Sequence, residues 1–142
     1  MAIIQTLTTS FKVEVAQALH NFTTGTGDVF KLALYTANAD LGASTTAYTT
    51  AGEASGTNYA AGGLVLTNIT PTFQGTTAYW SFQNLTFTNV TLTTNGALIY
   101  NSTNGNRSVA VLNFGTNITK SASDLVITFP AATATDAVLR IA

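Results

Sequence analysis

The stretch NGALIYNSTNGNRSVAVLNFG, residues 95–115, decides the fold of this chain. It holds two runs with strand composition, Ala97–Asn101 and Arg107–Phe114, on either side of Asn104–Gly105. An Asn-Gly pair between two such runs is a strong signal for a tight antiparallel turn. We therefore predict a β-hairpin here, which is the strongest local signal in the sequence.

The sequence on each side of this hairpin carries further β signals. Leu85–Leu92 alternates apolar residues with threonines, and a slip of the alternation around Asn89 predicts a β-bulge. Asn95–Gly96 predicts a second tight turn. Gly115 predicts a turn into a loop that runs to Asp124.

Five other segments have the composition and the flanking turn residues of short strands. They are Val29–Thr36, Leu64–Thr72 stopped near Pro71, Thr76–Gln83, Leu125–Phe129 ended by Pro130, and Ala137–Ile141. Apolar side chains alternate along the first of them with Lys31 and Tyr35 on the other face, which predicts a half-buried strand. About seven to nine short strands predict a mainly β fold, an antiparallel β-sandwich of jelly-roll-like type, with residues 1–142 as one domain.

Residues 10–21 are the one segment with helical spacing. Apolar side chains recur there at every fourth position, namely Phe11, Val15 and Leu19. Ser10 is the expected N-cap, Glu14 lies early, where the helix dipole favours a carboxylate, and Asn21 suits a left-handed exit. The alternation of residues 11–15 also fits a strand, but the AQAL segment that follows favours one short N-terminal helix.

The low content of charged residues argues against a nucleic acid as the partner of this protein. Only 8% of the residues are charged and the formal net charge is −1, whereas proteins that bind nucleic acids rely on many Lys and Arg contacts to phosphates. Threonine occupies 28 of the 142 positions and asparagine is also frequent, so hydroxyl and amide groups must hydrate most of the surface. A free monomer with so few charges is poorly protected against association, and a protein docked on a partner does not need that protection. The composition favours a structural or assembly role.

Signals for export and for membrane insertion are missing from the sequence. The segment MAIIQTLTTSFK has no basic region, and its apolar run is too short for a signal peptide. No stretch approaches the ~20 apolar residues that span a bilayer. We expect no membrane partner.

The sequence offers little material for catalysis or metal binding. It has one histidine, His20, and no cysteine, so zinc lacks ligands. The carboxylates are not clustered as calcium requires, and neither a phosphate-binding loop nor a Gly-x-Ser-x-Gly elbow occurs. His20 has no neighbouring acid in the sequence, and at the end of the predicted helix an imidazolium would favour the helix dipole. We predict a protein with no catalytic residues, no metal and no cofactor.

Aromatic residues allow two interpretations. Tyr79 and Trp80, together with the tyrosines at 48, 59 and 100, could stack on a sugar. Alternatively, Trp80 and Phe82 are core residues and the tyrosines bridge core and surface, which is the favoured interpretation.

A set of motifs covers most of the chain. The matching positions are Phe11, Lys12 and Glu14, then His20–Phe22, Phe30–Thr36, Tyr48–Glu53, Gly56, Tyr59, Gly62, Gly63, Asn95–Asn101 and Val111–Gly115. They resemble a small family of virion structural proteins of tailed bacteriophages, with patterns such as Phe-Lys-Leu-Ala-Leu-Tyr-Thr and Gly-Thr-x-Tyr-x-x-Gly-Gly. The chain departs from the family at Val15–Ala16, where members tend to have two leucines.

The resemblance implies a capsid decoration or cement protein. Such a protein would lie on the capsid surface of the virion after synthesis in the host bacterial cytoplasm. Its implied partners are the major capsid protein and other copies of itself, as a dimer or trimer, without nucleic acid. The alternatives are a tail or fibre component and a carbohydrate-binding module for host recognition.

Two segments lie outside the predicted sandwich and are the expected contact regions under this hypothesis. Residues 1–9 form an apolar arm, and residues 37–63 form a polar loop with five glycines. Loops of this length are usually functional or cover another part of the protein. The candidate interface residues are Ile3, Ile4, Leu7, Tyr48, Glu53 and Tyr59. The arm could equally pair as an edge strand within its own domain.

Overall fold

The computed structural model describes residues 2–142, so Met1 of the predicted arm lies outside the described residues. The fold is mainly β, with 49% strand and 6% helix, and it contains two antiparallel sheets and one short helix. The elements are β1 Thr6–Leu7, α1 Thr9–Ala16, β2 Phe30–Tyr35, β3 Leu64–Val65, β4 Asn68–Gln74, β5 Thr77–Phe82, β6 Leu85–Asn101, β7 Arg107–Ile127 and β8 Leu139–Ile141. The larger sheet has the order β1-β7-β6-β2-β3, and the smaller sheet has the order β4-β5-β8.

The predicted hairpin is confirmed and forms the centre of the larger sheet. Asn101 pairs with Arg107, and the register continues outward to Leu85 opposite Ile127. The turn at Asn95–Gly96 was a wrong prediction, because β6 runs straight through this pair. Gly96 is required there for another reason. A Cβ atom at this position would lie 2.5 Å from the carbonyl oxygen of Leu112 and 2.9 Å from the side chain of Ile3.

The predicted loop from Gly115 to Asp124 was also wrong, because the strand continues to Ile127. Gly115 does have a positive φ of 79°, but it belongs to a bulge. Gly96 of β6 pairs with Asn113, and Thr94 pairs with Ile118. An advance of two residues along β6 therefore corresponds to an advance of five along β7. The segment predicted as a separate strand from Leu125 is the last part of β7.

The bulge predicted at Asn89 is confirmed. The register shifts between Phe87 and Val90, and Asn89 has a left-handed φ of 51°. Its backbone N–H donates to Oδ1 of Asp124 at 2.8 Å, so the bulge is tied to the opposite strand. Phe87, Val90 and Leu92 are buried, as the alternation predicted.

Helix α1 is shorter than predicted. Thr8, rather than Ser10, is the N-cap, and its hydroxyl accepts from the backbone N–H of Phe11. The helix ends at Ala16 because Ala18 adopts a left-handed φ of 60°, the role predicted for Asn21. The N–H groups of Ala18 and Leu19 then bond to the carbonyls of Val15 and Glu14, which is the Schellman pattern of a helix end.

Strand β2 is buried on both faces, not half-buried as predicted. Phe30, Leu32 and Leu34 belong to the main core, which also contains Trp80, Phe82 and Leu139 of the smaller sheet. Ala33 and Tyr35 belong to a second cluster with Ala39 and Leu41 from the 37–63 segment. The long polar segment therefore covers the outer face of β2, which accounts for the missing solvent face.

The segment Leu64–Thr72 forms two strands instead of the single predicted one. Val65 pairs with Lys31 in the larger sheet, whereas Asn68 pairs with Phe82 in the smaller sheet. Pro71 does not stop the second strand, because it lies in an irregularity between Ile69 and Thr72 where no ladder hydrogen bond is needed. The chain thus changes sheets at residues 66–67.

Candidate functional site

The carboxylate of Glu53 is the centre of a tyrosine cluster formed by the 37–63 segment and β2. Its Oε2 accepts from the Tyr48 hydroxyl at 2.6 Å, and its Oε1 accepts from the Tyr59 hydroxyl at 2.8 Å and from the backbone N–H of Gly62 at 2.7 Å. The Tyr59 oxygen also accepts from the backbone N–H of Leu34 at 2.9 Å. Three donors of the 37–63 segment therefore converge on the Glu53 carboxylate. The bond between Tyr59 and Leu34 links this group to β2.

Two further tyrosines extend this Glu53 cluster. The Tyr100 hydroxyl donates to the carbonyl of Gly62 at 2.6 Å, and the Tyr35 hydroxyl donates to the carbonyl of Thr49 at 2.6 Å. The rings of Tyr48 and Tyr100 stack with centroids 4.9 Å apart. Each hydroxyl fixes a different turn of the 37–63 segment, so this long segment is held at several points.

The electrostatics of the cluster keep the tyrosines neutral. Burial raises the pKa of Tyr100 to about 12, and the Glu53 charge contributes in the same direction. Burial likewise raises the pKa values of Tyr35, Tyr48 and Tyr59 well above the usual value, with Glu53 again adding to the effect. Neutral hydroxyls are donors, so the tyrosines keep the hydrogen bonds that they donate to Glu53 and to the backbone carbonyls.

His20 does have an acid partner, contrary to the prediction from the sequence. Its Nε2 lies 2.7 Å from Oε2 of Glu14, and its side chain is completely buried against the Phe11 ring, whose centroid is 5.0 Å away. Glu14 is also 3.4 Å from Nη1 of Arg107. His20 lies beyond the end of helix α1, so the dipole role predicted for it does not apply.

Asn101 sets the tautomer of His20. The Asn101 Oδ1 accepts from the backbone N–H groups of Thr103 and Asn104 at 3.1 Å each, so its amide nitrogen faces His20. That nitrogen donates to Nδ1 of His20 at 3.1 Å and to Oδ2 of Asp28 at 2.8 Å. Nδ1 is therefore an acceptor, and the proton lies on Nε2 and points to Glu14.

The polar groups of both clusters make internal hydrogen bonds. Both ring nitrogens of His20 have hydrogen-bond partners, Glu14 at Nε2 and Asn101 at Nδ1. Both oxygens of Glu53 are likewise occupied. The sequence indicated the residues of the Glu53 cluster but missed Asn101 and Asp28, since their contacts join positions more than 70 residues apart.

The predicted interface residues fall into two groups. Tyr48, Glu53 and Tyr59 are brought together by direct hydrogen bonds. The arm residues are not brought together, because Ile3 is only 6% exposed and forms a bridge with Leu41, whereas Ile4 is 61% exposed. Leu7 pairs with Ala110 as part of β1, so the edge-strand alternative describes residues 6–7.

Two surface clefts lie near the segment that leads into β8 or beside the smaller sheet. One, about 640 Å³, lies between β7 and the segment before β8 and is lined by residues such as Phe114, Ile118 and Phe129. A second, about 310 Å³, lies between α1 and the smaller sheet, where Phe11, Val15 and Trp80 form its walls. Within residues 2–142, no group of three or more His, Cys, Asp or Glu side chains could hold a metal ion.

Trp80 belongs to the core, as the favoured interpretation of the aromatic residues predicted. It is 7% exposed and lies 5.4 Å from the Phe22 ring, centroid to centroid. The described part of the chain contains no helix with the length and apolarity needed to cross a membrane. Comparison of the chain with protein-family models, curated proteins and solved structures found no match, so its resemblance to phage virion proteins stays a prediction from the sequence.

Proposed function

We propose that this protein is a structural component of a tailed-phage virion, a capsid decoration or cement protein that binds the major capsid shell and stabilises it. The motifs from Phe11 to Gly115 that resemble virion structural proteins support this assignment. The jelly-roll-like sandwich expected for such a protein is part of the same proposal. Its two antiparallel sheets share one core, which is compatible with that architecture.

The observation that carries the proposal is the chemistry of the surface. Only 8% of the residues are charged, yet several large apolar side chains are exposed. The most exposed are Phe73 at 74%, Ile4 at 61%, Val13 at 56% and Ile141 at 54%. Phe73 and Ile141 both pair with Ala78, so they lie on one face of the smaller sheet. Adjoining exposed apolar groups with few charges around them are typical of a surface that is covered by a partner.

The aromatic side chains give less support to a glycan-binding module. Trp80, Tyr35 and Tyr100 are each at most 7% exposed, and the hydroxyls of Tyr48 and Tyr59 are bonded to Glu53. A sugar platform needs exposed ring faces, and these rings face the core or one another. The structural role therefore has the better support, with a tail or fibre position as its nearest alternative.

The mechanism under this proposal is binding linkage. A protein that binds the expanded shell but not its precursor or its separated subunits stabilises the expanded shell by mass action. Copies that bridge neighbouring capsid subunits would add avidity, since each bound contact raises the effective concentration of the next. The protein would contribute surface and rigidity, with no catalytic step.

The test is a binding experiment with phage heads that lack this protein. Purified protein is added to expanded heads, to unexpanded precursor shells and to isolated tails, and each mixture is sedimented. We expect saturable binding to expanded heads and an increase in their melting temperature. Binding to tails alone, or binding to host cells with no effect on the melting temperature of heads, would refute the proposal.

A further inference from the structure

The sequence contains two Asn-Gly dipeptides, and the structure places them in opposite surroundings. Asn104–Gly105 lies in the turn between β6 and β7, where the glycine is exposed. Asn95–Gly96 lies inside β6, and its glycine is buried and pairs with a residue of β7 on one side and a residue of β2 on the other. The two dipeptides have the same chemistry, but their backbones differ in freedom.

An asparagine that precedes a glycine can react with its own backbone. The glycine nitrogen loses its proton to hydroxide and attacks the side-chain carbon Cγ of the asparagine. A C–N bond forms, the bond between Cγ and Nδ2 breaks, and Nδ2 takes up a proton and leaves as ammonia, so a cyclic imide remains. Water then opens the ring at either carbonyl and gives aspartate, or isoaspartate with its main chain running through Cβ and Cγ. Glycine favours the first step, because it has no Cβ to shield the nitrogen and its backbone turns easily.

The backbone around Gly105 is free to make this approach. Gly105 has a left-handed φ of 66°, and no atom lies within 4 Å of the position that a Cβ atom would take. Its N–H donates no hydrogen bond to another residue of the described range 2–142. The nearest bond that closes the turn, from the Arg107 N–H to the Asn104 carbonyl, is long at 3.4 Å. Reaction at Asn104 therefore requires only a movement of the turn.

The backbone around Gly96 is held on every side. A Cβ atom there would collide with the carbonyl oxygen of Leu112 and with the side chain of Ile3. The Asn95 side chain donates to Oδ1 of Asn117 on the neighbouring strand at 3.0 Å. Reaction at Asn95 therefore requires local unfolding of the centre of the larger sheet, which opens far less often than a surface turn.

Asn104 has a structural role that the reaction abolishes. Its Nδ2 donates to the backbone carbonyl of Leu19 at 2.7 Å, and its backbone N–H donates to Oδ1 of Asn101 at 3.1 Å. The first bond ties the turn to the segment that follows helix α1, and the second reaches the asparagine that holds His20. An ionised carboxylate offers only acceptors, so at position 104 it would oppose the Leu19 carbonyl instead of binding it.

We propose that Asn104 is a self-modification site, which converts selectively to aspartate and isoaspartate in the folded protein and thereby loosens the segment that follows helix α1. The nucleophile is the backbone nitrogen of Gly105 and the second reactant is water, so no enzyme takes part. The bond to Leu19 holds the side chain until the turn opens, which makes the reaction slower than in the unfolded chain. Older copies of the protein then differ from new ones by an added negative charge and by the loss of this attachment.

The test is incubation of the folded protein at mildly alkaline pH, followed by chymotrypsin digestion and mass spectrometry. Cleavage after Tyr100 separates the two dipeptides, so each conversion is measured on its own peptide as the replacement of NH by O. We expect Asn104 to convert about 100-fold faster than Asn95, which corresponds to a difference of about 2.7 kcal/mol in activation free energy. In concentrated urea, where neither dipeptide is held by the fold, the two rates should become similar.

The variant G105A tests the mechanism. The open space around Gly105 admits the methyl group, and circular dichroism checks that the variant folds. The methyl group shields the attacking nitrogen, so conversion of Asn104 should be about 10-fold slower, or about 1.4 kcal/mol in activation free energy. Conversion of Asn95 in urea should be the same as in the unmodified protein.

The variant N104D tests the structural consequence, since it carries the aspartate product from the start. The backbone N–H of Leu19 donates to the Glu14 carbonyl at the end of helix α1. Without the bond from position 104 this segment should open more often, so hydrogen exchange of the Leu19 amide should be faster in N104D than in the unmodified protein. The Gly96 amide, in the centre of the larger sheet, is the internal control and should exchange at the same rate in both.

Four results would overturn the inference. Equal conversion of Asn95 and Asn104 in the folded protein would mean that the turn gives no selectivity, and conversion of Asn104 in urea alone would mean that the turn protects it. An unchanged rate in G105A would indicate direct hydrolysis of the side chain. Unchanged exchange of Leu19 in N104D would mean that Asn104 does not hold this segment. The protein is tested without phage heads, so none of these results depends on the proposed function.

Discussion

Replacing Glu53 with glutamine should loosen the whole 37–63 segment. The carboxylate accepts three hydrogen bonds at 2.6–2.8 Å, from Tyr48, Tyr59 and Gly62. A glutamine side chain retains one acceptor oxygen and places an NH₂ donor against at least one of the three donors. With each hydrogen bond to a charged group contributing about 1.5–3 kcal/mol, losing one or two of them should lower the free energy of unfolding by about 3 kcal/mol.

The expected change in melting temperature follows from the size of the protein. For a chain of 142 residues the entropy of unfolding is about 0.3 kcal/mol per kelvin, so E53Q should melt about 10 °C lower. Differential scanning calorimetry measures the shift. Hydrogen exchange should then show faster exchange at the backbone amides of Gly62 and Leu34, both of which donate within the Glu53 cluster.

The matched control is D40N, which removes the same charge from an exposed residue of the same segment. A shift for E53Q no larger than the shift for D40N would refute the reasoning. A double-mutant cycle of E53Q with Y48F sharpens the test, because the pair should be less than additive by about 1 kcal/mol if the two groups interact directly. Full additivity would mean that the hydrogen bond contributes nothing.

Three further perturbations probe other parts of the structure. E14A leaves the Nε2–H of buried His20 without its acceptor and should cost about 1–3 kcal/mol in urea unfolding, whereas E14Q keeps an acceptor and should recover most of that loss. G63A should lower the free energy of unfolding by about 3 kcal/mol or more, because its Cβ would collide with the backbone oxygen of Leu32. G75A, with a similarly positive φ but open space around it, should lower the same quantity by only about 1 kcal/mol. Because the pKa of Tyr100 is raised to about 12, the stability that its neutral form contributes is complete below pH 10 and is lost as the pH rises towards 12. In a Y79F variant, which leaves only the tyrosines of the Glu53 cluster, tyrosinate absorption at 295 nm should rise together with loss of the far-ultraviolet dichroism, and a rise that precedes unfolding would contradict the burial of these hydroxyls.

Local signals in the sequence predicted the elements whose partners are close in the chain. The turn between β6 and β7 was found because Asn104–Gly105 and its flanking strands form one continuous signal. The same Asn-Gly dipeptide at 95–96 misled, because Gly96 is needed to admit the side chain of Ile3 from a residue more than 90 positions away. A glycine in the sequence can indicate that a side chain would not fit at that position, but it does not indicate which segment of the chain packs there.

The candidate sites show the same division between local and distant contacts. Tyr48, Glu53 and Tyr59 stand within twelve residues of the sequence, and they do meet. The partnership of Glu14 and His20 was missed although the two are also near in sequence, because the helix was expected to continue past Ala18. The early helix end folds His20 back over the helix, and no pattern in the AQAL segment indicates a left-handed alanine.

The pairing of β1 with β7 has a consequence for the order of events during synthesis. The Thr8 hydroxyl bonds to the Ser108 side chain, and the two residues are 100 positions apart. At synthesis rates of roughly 5–20 residues per second, β1 leaves the ribosome about 5–20 s before its partner strand. Ile3 can form its bridge with Leu41 early, but its packing against Gly96 and the closure of the larger sheet have to await the second half of the chain.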